Sequence, residues 1–195
     1  MIVSKEQMNQ IRDFALSKVK DLDFAHNQEH TLKVFNLATY LAKKEKAEVQ
    51  VCQVAAYLHD IGQSVSEESH EDISTEMAKE FLNSLKLPTD FIERVSHAIY
   101  HHGKGRVKDA HTLEAKVLYD ADKLQVVGVD GFCRVFSYSI IIKKLSISDA
   151  MERTKASQEK RLGTLQTASA KKLVLKSHKL MLKFYKNYED WNKKF

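Results

Sequence analysis

The stretch Val54-Ala-Ala-Tyr-Leu-His59-Asp60-Ile-Gly62 decides the fold class and the chemistry expected of this chain. The apolar run that leads into it from about Glu48 predicts a buried helix, and glycine commonly ends a helix. His59 and Asp60 should therefore lie at the core-facing end of that helix. A buried carboxylate is costly unless something pairs with it, and a metal ion would pair with Asp60 and bind the neighbouring imidazole as well.

Other parts of the sequence repeat this pattern. Asp122 follows the apolar pair Val117-Leu118 and precedes Leu124, and eight of the nine histidines fall between positions 26 and 111. Imidazole and carboxylate together suit borderline divalent cations, and residues four apart share a helix face. The recurring groups are His26-x-x-x-His30, His70-Glu71-Asp72, His97-x-x-x-His101-His102 and Asp120-x-Asp122.

Any one of these groups is weak evidence by itself. A single histidine on a helix is more often a hydrogen-bonded structural residue than a ligand, and a lone His-Asp dipeptide occurs by chance. Four such groups in one short chain, each beside an apolar helical run, favour a metal site.

The composition predicts an all-α, single-domain multi-helix bundle. One proline and six glycines in 195 residues are too few for a fold with many tight turns. A capping box, Ser4-x-x-Gln7, predicts the first helix, and Asn27 begins the second. The remaining helices are expected at about 48–60, 70–85, 90–102, 112–126, 131–144, 148–161 and 164–190, with loops at 63–69 and 103–111.

The expected domain organisation is one domain over residues 1–195. Its metal-site core would span about 24–130, and the C-terminal helices 131–195 would pack on that core. No apolar stretch reaches the roughly 20 residues that cross a bilayer, and the first residues do not resemble a signal peptide. Cys52 and Cys133 are expected to be buried thiols, and a cytoplasmic location is predicted.

The C-terminal part is basic, because residues 143–195 carry 14 Lys/Arg against five Asp/Glu. Such a tail could attract phosphates or nucleic acid, or it could be a solvated helix face. Tyr185, Tyr188 and Trp191 interleave with lysines there, which suits base stacking but suits the packing of a terminal helix better.

The sequence resembles the HD-domain superfamily of metal-dependent phosphohydrolases, in particular the small stand-alone bacterial and archaeal predicted hydrolases. That family is named for a pattern of His, then His-Asp, then a distant Asp. The matching segments are His30-Thr-Leu-Lys-Val34, Ala55-Ala-Tyr-Leu-His59-Asp60-Ile-Gly62 and Leu118-Tyr-Asp-Ala-Asp122-Lys-Leu124. Looser matches are Ser69-His70, Ala98-Ile-x-x-His102, Glu114-Ala-Lys-Val-Leu118, Gly131-x-x-Arg134-x-Phe136 and Thr167 to Lys171.

The resemblance implies the roles of several residues. His30, His59, Asp60 and Asp122 would be ligands of one divalent metal ion, with Mn, Mg, Fe, Ni, Co and Zn all compatible with the donor set. Some members of the superfamily hold two metals, for which His70, His97, His101 and His102 could supply the additional ligands. Two positions depart from the family pattern: Lys33 stands where arginine is frequent, and Gln125 stands where aspartate is frequent.

The function that the resemblance implies is hydrolysis of a phosphoester or phosphoanhydride bond, with a nucleotide as the expected small-molecule substrate and metal-activated water as the nucleophile. Asp60, His102 and His70 are the candidate catalytic residues. Lys33, Lys123 and Arg134 are the candidates for phosphate contact.

Two alternatives stay open. The chain could be a non-catalytic helical module that binds nucleic acid or a partner and uses the histidines as a structural metal site. His26-Asn-Gln-Glu29-His30 also fits the H-x-x-E-H motif of inverted zinc peptidases, in which Glu29 would be the general base.

Overall fold

The computed structural model describes residues 2–103 and 105–194, and all regular secondary structure in those residues is helical. The α-helices are α1 (Lys5–Val19), α2 (Gln28–Glu45), α3 (Val49–Leu58), α4 (His70–Ser84), α5 (Thr89–His101), α6 (Leu113–Lys123), α7 (Gly128–Ile141), α8 (Ile147–Thr164) and α9 (Ala168–Asn192). Short 3-10 helices span Arg106–Asp109 and Leu124–Val126. The all-α fold class predicted from the sequence is confirmed.

The predicted starts of the first two helices are confirmed by their caps. The Ser4 hydroxyl accepts a hydrogen bond from the Gln7 amide at 3.2 Å, and the Gln7 side chain accepts one from the Ser4 amide at 3.0 Å. The Asn27 side chain accepts from the Glu29 amide at 3.0 Å. These caps satisfy backbone donors that a helix leaves without partners in its first turn.

The predicted helix boundaries fail in the region around residue 128. One helix was expected over 112–126, but α6 ends at Lys123, and α7 begins at Gly128 rather than at 131. Gly128 has a φ of 78°, a left-handed conformation that glycine adopts without steric cost and that turns the chain between the helices. The helix predicted over 164–190 also begins later than expected, because residue 164 is the last residue of α8 and α9 begins at Ala168.

The contacts divide the chain into two compact units, residues 1–122 and residues 123–195. The expectation of one domain, with its metal-site core at about 24–130, stays a prediction.

Within the first unit, α3 is the central helix and contacts α1, α2, α4 and α5. Its sequence explains this position, since every residue from Val51 to Leu58 except Gln53 is buried. A helix that is apolar on all sides is stable only when other helices surround it. The chain that leaves α3 therefore delivers His59 and Asp60 directly into the interior.

Within the second unit, α7 contacts α8 and α9. Met151, Met181 and Tyr185 form its buried core, against which Phe132, Phe136 and Tyr188 pack. A buried chain of polar contacts completes it, because Gln158 donates to the Gly128 carbonyl at 2.7 Å and accepts from the Tyr185 hydroxyl at 3.1 Å.

The burial of Cys52 is confirmed, whereas the expectation of a buried Cys133 is wrong, because Cys133 is exposed on α7. Neighbours in sequence point about 100° apart around a helix, so the apolar residues beside Cys133 did not determine which way it faces.

No single helix in the described residues is long and apolar enough to cross a membrane. The consecutive segments Leu113–Val126 and Gly128–Ile141 pass that test only as a bent pair, by length and composition alone.

Candidate metal centre

The centre is built around the dipeptide that follows α3. His59 is fully buried and Asp60 is 5% exposed. The turn that holds them is fixed by two hydrogen bonds, from the Gln63 amide to the Asp60 carbonyl at 3.0 Å and from the Gly62 amide to the Ser74 hydroxyl at 2.9 Å. The sequence therefore places a carboxylate and an imidazole side by side where water is largely excluded.

The two carboxylate oxygens of Asp60 face different pairs of histidines. Oδ2 lies 3.4 Å from Nε2 of His30 and 3.3 Å from Nε2 of His59. Oδ1 lies 3.6 Å from Nε2 of His70 and 3.5 Å from Nε2 of His102. Asp60 is thus surrounded by four imidazoles from four separate stretches of the chain.

Asp122 joins the first of these pairs from α6. Its Oδ1 lies 3.5 Å from Nε2 of His30, and Nε2 of His30 lies 3.3 Å from Nε2 of His59. The ligand atoms of His30, His59 and Asp122 all lie within 4.8 Å of one another, as do those of His59, Asp60 and His102. The structure brings together the four residues expected to bind a metal.

Backbone carbonyl groups orient three of the imidazoles. Nδ1 of His59 is 2.9 Å from the Ala56 carbonyl oxygen, that of His102 is 2.5 Å from Ile99, and that of His70 is 2.7 Å from Glu67. A carbonyl only accepts, so each Nδ1 carries the proton and each Nε2 of the neutral ring carries a lone pair. This is the usual arrangement of metal-binding histidines.

The donor set fits a metal ion by its spacing as well. Two ligand atoms held about 2.1 Å from an ion at a tetrahedral angle would be about 3.4 Å apart. Nε2 of His30 lies 3.3 to 3.5 Å from Nε2 of His59, Oδ2 of Asp60 and Oδ1 of Asp122, and Nε2 of His59 lies 3.3 Å from Oδ2 of Asp60. Lone pairs of two imidazole nitrogens facing each other at 3.3 Å repel unless a proton or a cation lies between them.

Electrostatics at this point favour bound positive charge. Burial works to lower the pKa of His59, but the charges of Asp60 and Asp122 outweigh it, so the pKa of His59 is raised above its usual 6.5. Burial works to raise the pKa of Asp60, but His59 and hydrogen bonds from His102 and His30 hold it well below its ordinary value. The pocket therefore stabilises an ionised carboxylate and attracts a cation.

Glu71 is a site residue to which the sequence assigned no role. It is 1% exposed, and its Oε2 lies 3.7 Å from Nδ1 of His70. Gly103 makes room for it, because a Cβ at that position would lie 2.0 Å from the Glu71 carboxylate. The only available signal was its place between two other polar residues, His70 and Asp72, which does not distinguish a buried carboxylate from an exposed one.

Arg106 also went unnoticed in the sequence. Its guanidinium donates to both carboxylate oxygens of Asp72, at 3.1 and 3.0 Å, and stacks 4.2 Å from the centre of the Tyr100 ring. Such a two-point contact holds a loop more firmly than a single ion pair. The contact joins the segment after α5 to α4. His102 directly follows α5 and His70 begins α4, so the contact helps to hold both histidines near Asp60.

No contact described here joins the three cations expected to bind phosphate to the four expected metal ligands. Lys33 lies one turn beyond Glu29 on α2, with Nζ 3.0 Å from the Glu29 carboxylate. Lys123 and Arg134 belong to the second unit. Their roles stay predictions.

The structure does not favour the two alternative interpretations. Glu29 is 72% exposed in its ion pair with Lys33. The ring of His30 lies 5.3 Å from the ring of His59 but 6.5 Å from that of His26. In the basic tail, Tyr185 is buried and Tyr188 packs on the core, which removes two of the three aromatic residues that could stack on bases.

Comparison with known proteins identifies the family of this chain. A protein-family model for the HD domain matches residues 27–126, the range that contains all four expected ligands. The uncharacterized protein YpgQ of Bacillus subtilis (strain 168) is 26% identical over 191 residues, which covers 94% of this chain and 93% of the relative.

Solved structures share the fold over nearly the whole chain. YpgQ in complex with ADP superposes with a TM-score of 0.77 at 24% identity and covers 94% of this chain and 97% of that one. A predicted HD-superfamily hydrolase from an uncultured Thermotogales bacterium gives 0.71 at 26% identity, covering 94% and 92%. A Bacillus thuringiensis HD-superfamily hydrolase gives 0.75 at 21% identity, covering 96% and 98%. The chain therefore belongs to the HD-domain family, whose solved members with this fold include predicted hydrolases.

Proposed function

We propose that this protein is a metal-dependent phosphohydrolase that cleaves a phosphoester or phosphoanhydride bond of a nucleotide. The observation that carries the proposal is the position of Asp60, whose two oxygens lie between imidazole pairs at 3.3 to 3.6 Å, with Asp122 completing the first pair. His30, His59, Asp60 and Asp122 would hold a divalent ion. Such an ion, when bound, polarises a phosphate oxygen and lowers the pKa of water.

The residues themselves perform the remaining tasks. Asp60 orients the nucleophilic water through whichever oxygen lone pairs the ion leaves free. His102, with Nδ1 held by the Ile99 carbonyl, presents Nε2 toward the leaving oxygen, to which the doubly protonated ring donates a proton. His70 presents Nε2 beside the same Asp60 oxygen and can serve as a second anchor for the phosphate.

His70 and His102 also form, with Oδ1 of Asp60, a donor set for a second ion. Each oxygen of Asp60 lies beside its own pair of histidines, so His30 and His59 would serve one ion and His70 and His102 would serve the other. Measuring Mn²⁺ bound per chain distinguishes the roles. Two equivalents in the unmodified protein and one in His70→Ala support the second ion, and one equivalent in both supports the acid-and-anchor roles.

Nucleotides are the first substrate class to test, because YpgQ, which shares this fold, was solved in complex with ADP. The charge of a polyphosphate also suits a site that holds a cation.

A screen of metals against substrates tests the proposed function. Purified protein is stripped of metal, supplied with Mn²⁺, Mg²⁺, Co²⁺, Ni²⁺, Fe²⁺ or Zn²⁺, and assayed with nucleotides and other phosphate esters for phosphate or pyrophosphate release. Metal-dependent turnover that is lost in Asp122→Asn supports the proposal. Turnover that persists without metal, or equally in Asp122→Asn, contradicts it.

A further inference from the structure

A second group of imidazoles lies in the first unit and takes no part in the centre described above. His97 and His101 are one turn apart on α5, and His111 follows the 3-10 helix Arg106–Asp109. The ring of His97 lies 4.2 Å from that of His101 and 4.5 Å from that of His111, and the last two rings are 6.3 Å apart, centre to centre. These residues are called the histidine trio below.

Hydrogen bonds orient two members of the trio as they orient the histidines around Asp60. Nδ1 of His101 is 2.9 Å from the His97 carbonyl oxygen, and Nδ1 of His111 is 3.0 Å from the Asp109 carbonyl oxygen. Each Nδ1 therefore donates, and each Nε2 of the neutral ring keeps its lone pair. A nitrogen in that state has a lone pair with which to bind a metal.

His97 supplies a second, independent observation. Its Nδ1 is 3.1 Å from the Thr112 hydroxyl, but its Nε2 is buried and has no hydrogen-bond partner among the described residues. A buried polar nitrogen without a partner costs free energy, which a histidine serving only for packing would avoid. A ligand bound at Nε2 would remove that cost.

The electrostatic environment of His97 also favours metal binding. Burial lowers the pKa of His97, and His101 and His111 add to the effect because a second positive charge beside them is unfavourable. Only the neutral imidazole binds metal, so this shift favours a ligand over a proton near neutral pH.

We propose that the histidine trio binds one borderline transition-metal ion, such as Zn²⁺, Ni²⁺ or Cu²⁺, separately from the centre around Asp60. An all-imidazole donor set selects these ions over Mg²⁺ and Mn²⁺, which prefer oxygen. The ligand atoms of the trio do not all lie within 4.8 Å of one another, unlike those of His59, Asp60 and His102. Binding therefore requires a rotation of His111, which is exposed. The ion would link α5 to the segment that follows the 3-10 helix.

Calorimetric titration of Zn²⁺ tests this proposal on four proteins: unmodified, His111→Ala, His97→Gln and the control His178→Ala. His178 lies on α9 in the other unit, so the control removes one imidazole without touching the trio. Zinc bound around Asp60 is common to all four proteins and cancels in the comparison. We expect both trio variants to lose one equivalent, or to bind it with a Kd raised more than about tenfold, while His178→Ala matches the unmodified protein.

Because His111 is exposed, His111→Ala should fold normally, which a thermal melt verifies. Equal zinc binding by the unmodified protein and folded His111→Ala overturns the proposal, whatever His97→Gln does. Nitrogen-15 shifts of the histidine side chains give a readout independent of activity, since zinc should move the Nε2 signals of all three members of the trio.

Discussion

At the level of single residues, Asp60 is the side chain on which the metal centre depends most. It is 5% exposed and lies within 3.6 Å of four imidazole nitrogens. A buried charge with so many partners is expensive to remove or neutralise, because each partner was positioned for it. The consequences of changing Asp60 should therefore exceed those of changing any exposed carboxylate.

Asp60→Asn keeps the shape of the side chain and removes its charge. We expect metal affinity to fall by more than about tenfold and metal-dependent hydrolysis by more than about a hundredfold. Metal titration and phosphate release measure the two effects. Asp13→Asn is the matched control, because Asp13 is 66% exposed and pairs only with its neighbour Arg12 at 2.8 Å among the contacts described. Equal losses in the two variants would show that the charge at Asp60 has no special role.

The raised pKa of His59 leads to a prediction about pH. In the metal-free protein, the stabilising pair of protonated His59 with Asp60 is fully present below about pH 6.5 and is lost as pH rises through the raised pKa of His59. The low pKa of Asp60 keeps it ionised throughout this range. Metal binds neutral His59, so protons compete with it less at higher pH.

We therefore expect Mn²⁺ to raise the Tm more at about pH 8.5 than at about pH 6, at equal metal concentration. Thermal unfolding with and without metal at both pH values is the measurement. An increase in Tm that is the same at both, or larger in acid, would contradict the assignment of His59 as a ligand.

At the level of secondary-structure elements, the centre depends on how closely α4 approaches the turn after α3. A Cβ on Gly62 would lie 2.7 Å from the His70 carbonyl oxygen and 2.7 Å from the Ser74 amide nitrogen. Both are backbone atoms, so an added methyl group must push α4 away. His70 would move with it, away from Asp60.

Gly62→Ala should therefore destabilise the protein by about 1–3 kcal/mol and weaken metal binding. Gly163→Ala is the control, because a Cβ at Gly163 in α8 has open space within 4 Å and should stabilise that helix by about 0.5–1 kcal/mol. Denaturant unfolding gives both values. If Gly62→Ala were as stable as Gly163→Ala, the close approach of α4 would not be what holds the centre.

The sequence was most informative about α3 and its neighbours. The apolar run of α3 predicted a buried helix ending in His59 and Asp60, and the caps at Ser4 and Asn27 fixed two helix starts. Periodicity and capping are local properties, so they can be read without knowing the tertiary fold. The resemblance to a known family supplied the distant partners His30 and Asp122.

Other features could not be predicted because they depend on contacts between distant segments. Asp60 contacts a second pair of histidines because α4 and α5 bring His70 and His102 beside its Oδ1. Glu71 can be buried because Gly103 has no side chain to occupy the same space. The start of α7 at Gly128 was missed because its valine neighbours carry no turn signal, although glycine itself does.

At the level of the whole molecule, the two compact units should respond differently to metal. All four expected ligands belong to residues 1–122, and the core of the second unit rests on apolar packing and the Gln158–Tyr185 hydrogen bond. A ligand stabilises most strongly those local openings that disrupt its own site. Metal binding should therefore slow amide hydrogen exchange in the first unit.

Amide hydrogen exchange with and without Mn²⁺ measures this response. We expect slower exchange near residues 56–62, at the first turns of α2 and at the end of α6. The amides of α8 and α9 that exchange through local opening should be unchanged. The same measurement on Asp60→Asn, which should show no change on adding metal, is the control. If Mn²⁺ instead slowed amide exchange mainly in α8 or α9, the assignment of the metal ligands to the first unit would be contradicted.

Anomalous X-ray scattering from crystals grown with Mn²⁺ tests the metal centre most directly. The predicted result is a manganese peak about 2.0–2.3 Å from Nε2 of His30, Nε2 of His59 and carboxylate oxygens of Asp60 and Asp122. A fully loaded crystal in which the manganese lies elsewhere, or in which Asp122 is turned away from His59 and Asp60, would contradict it.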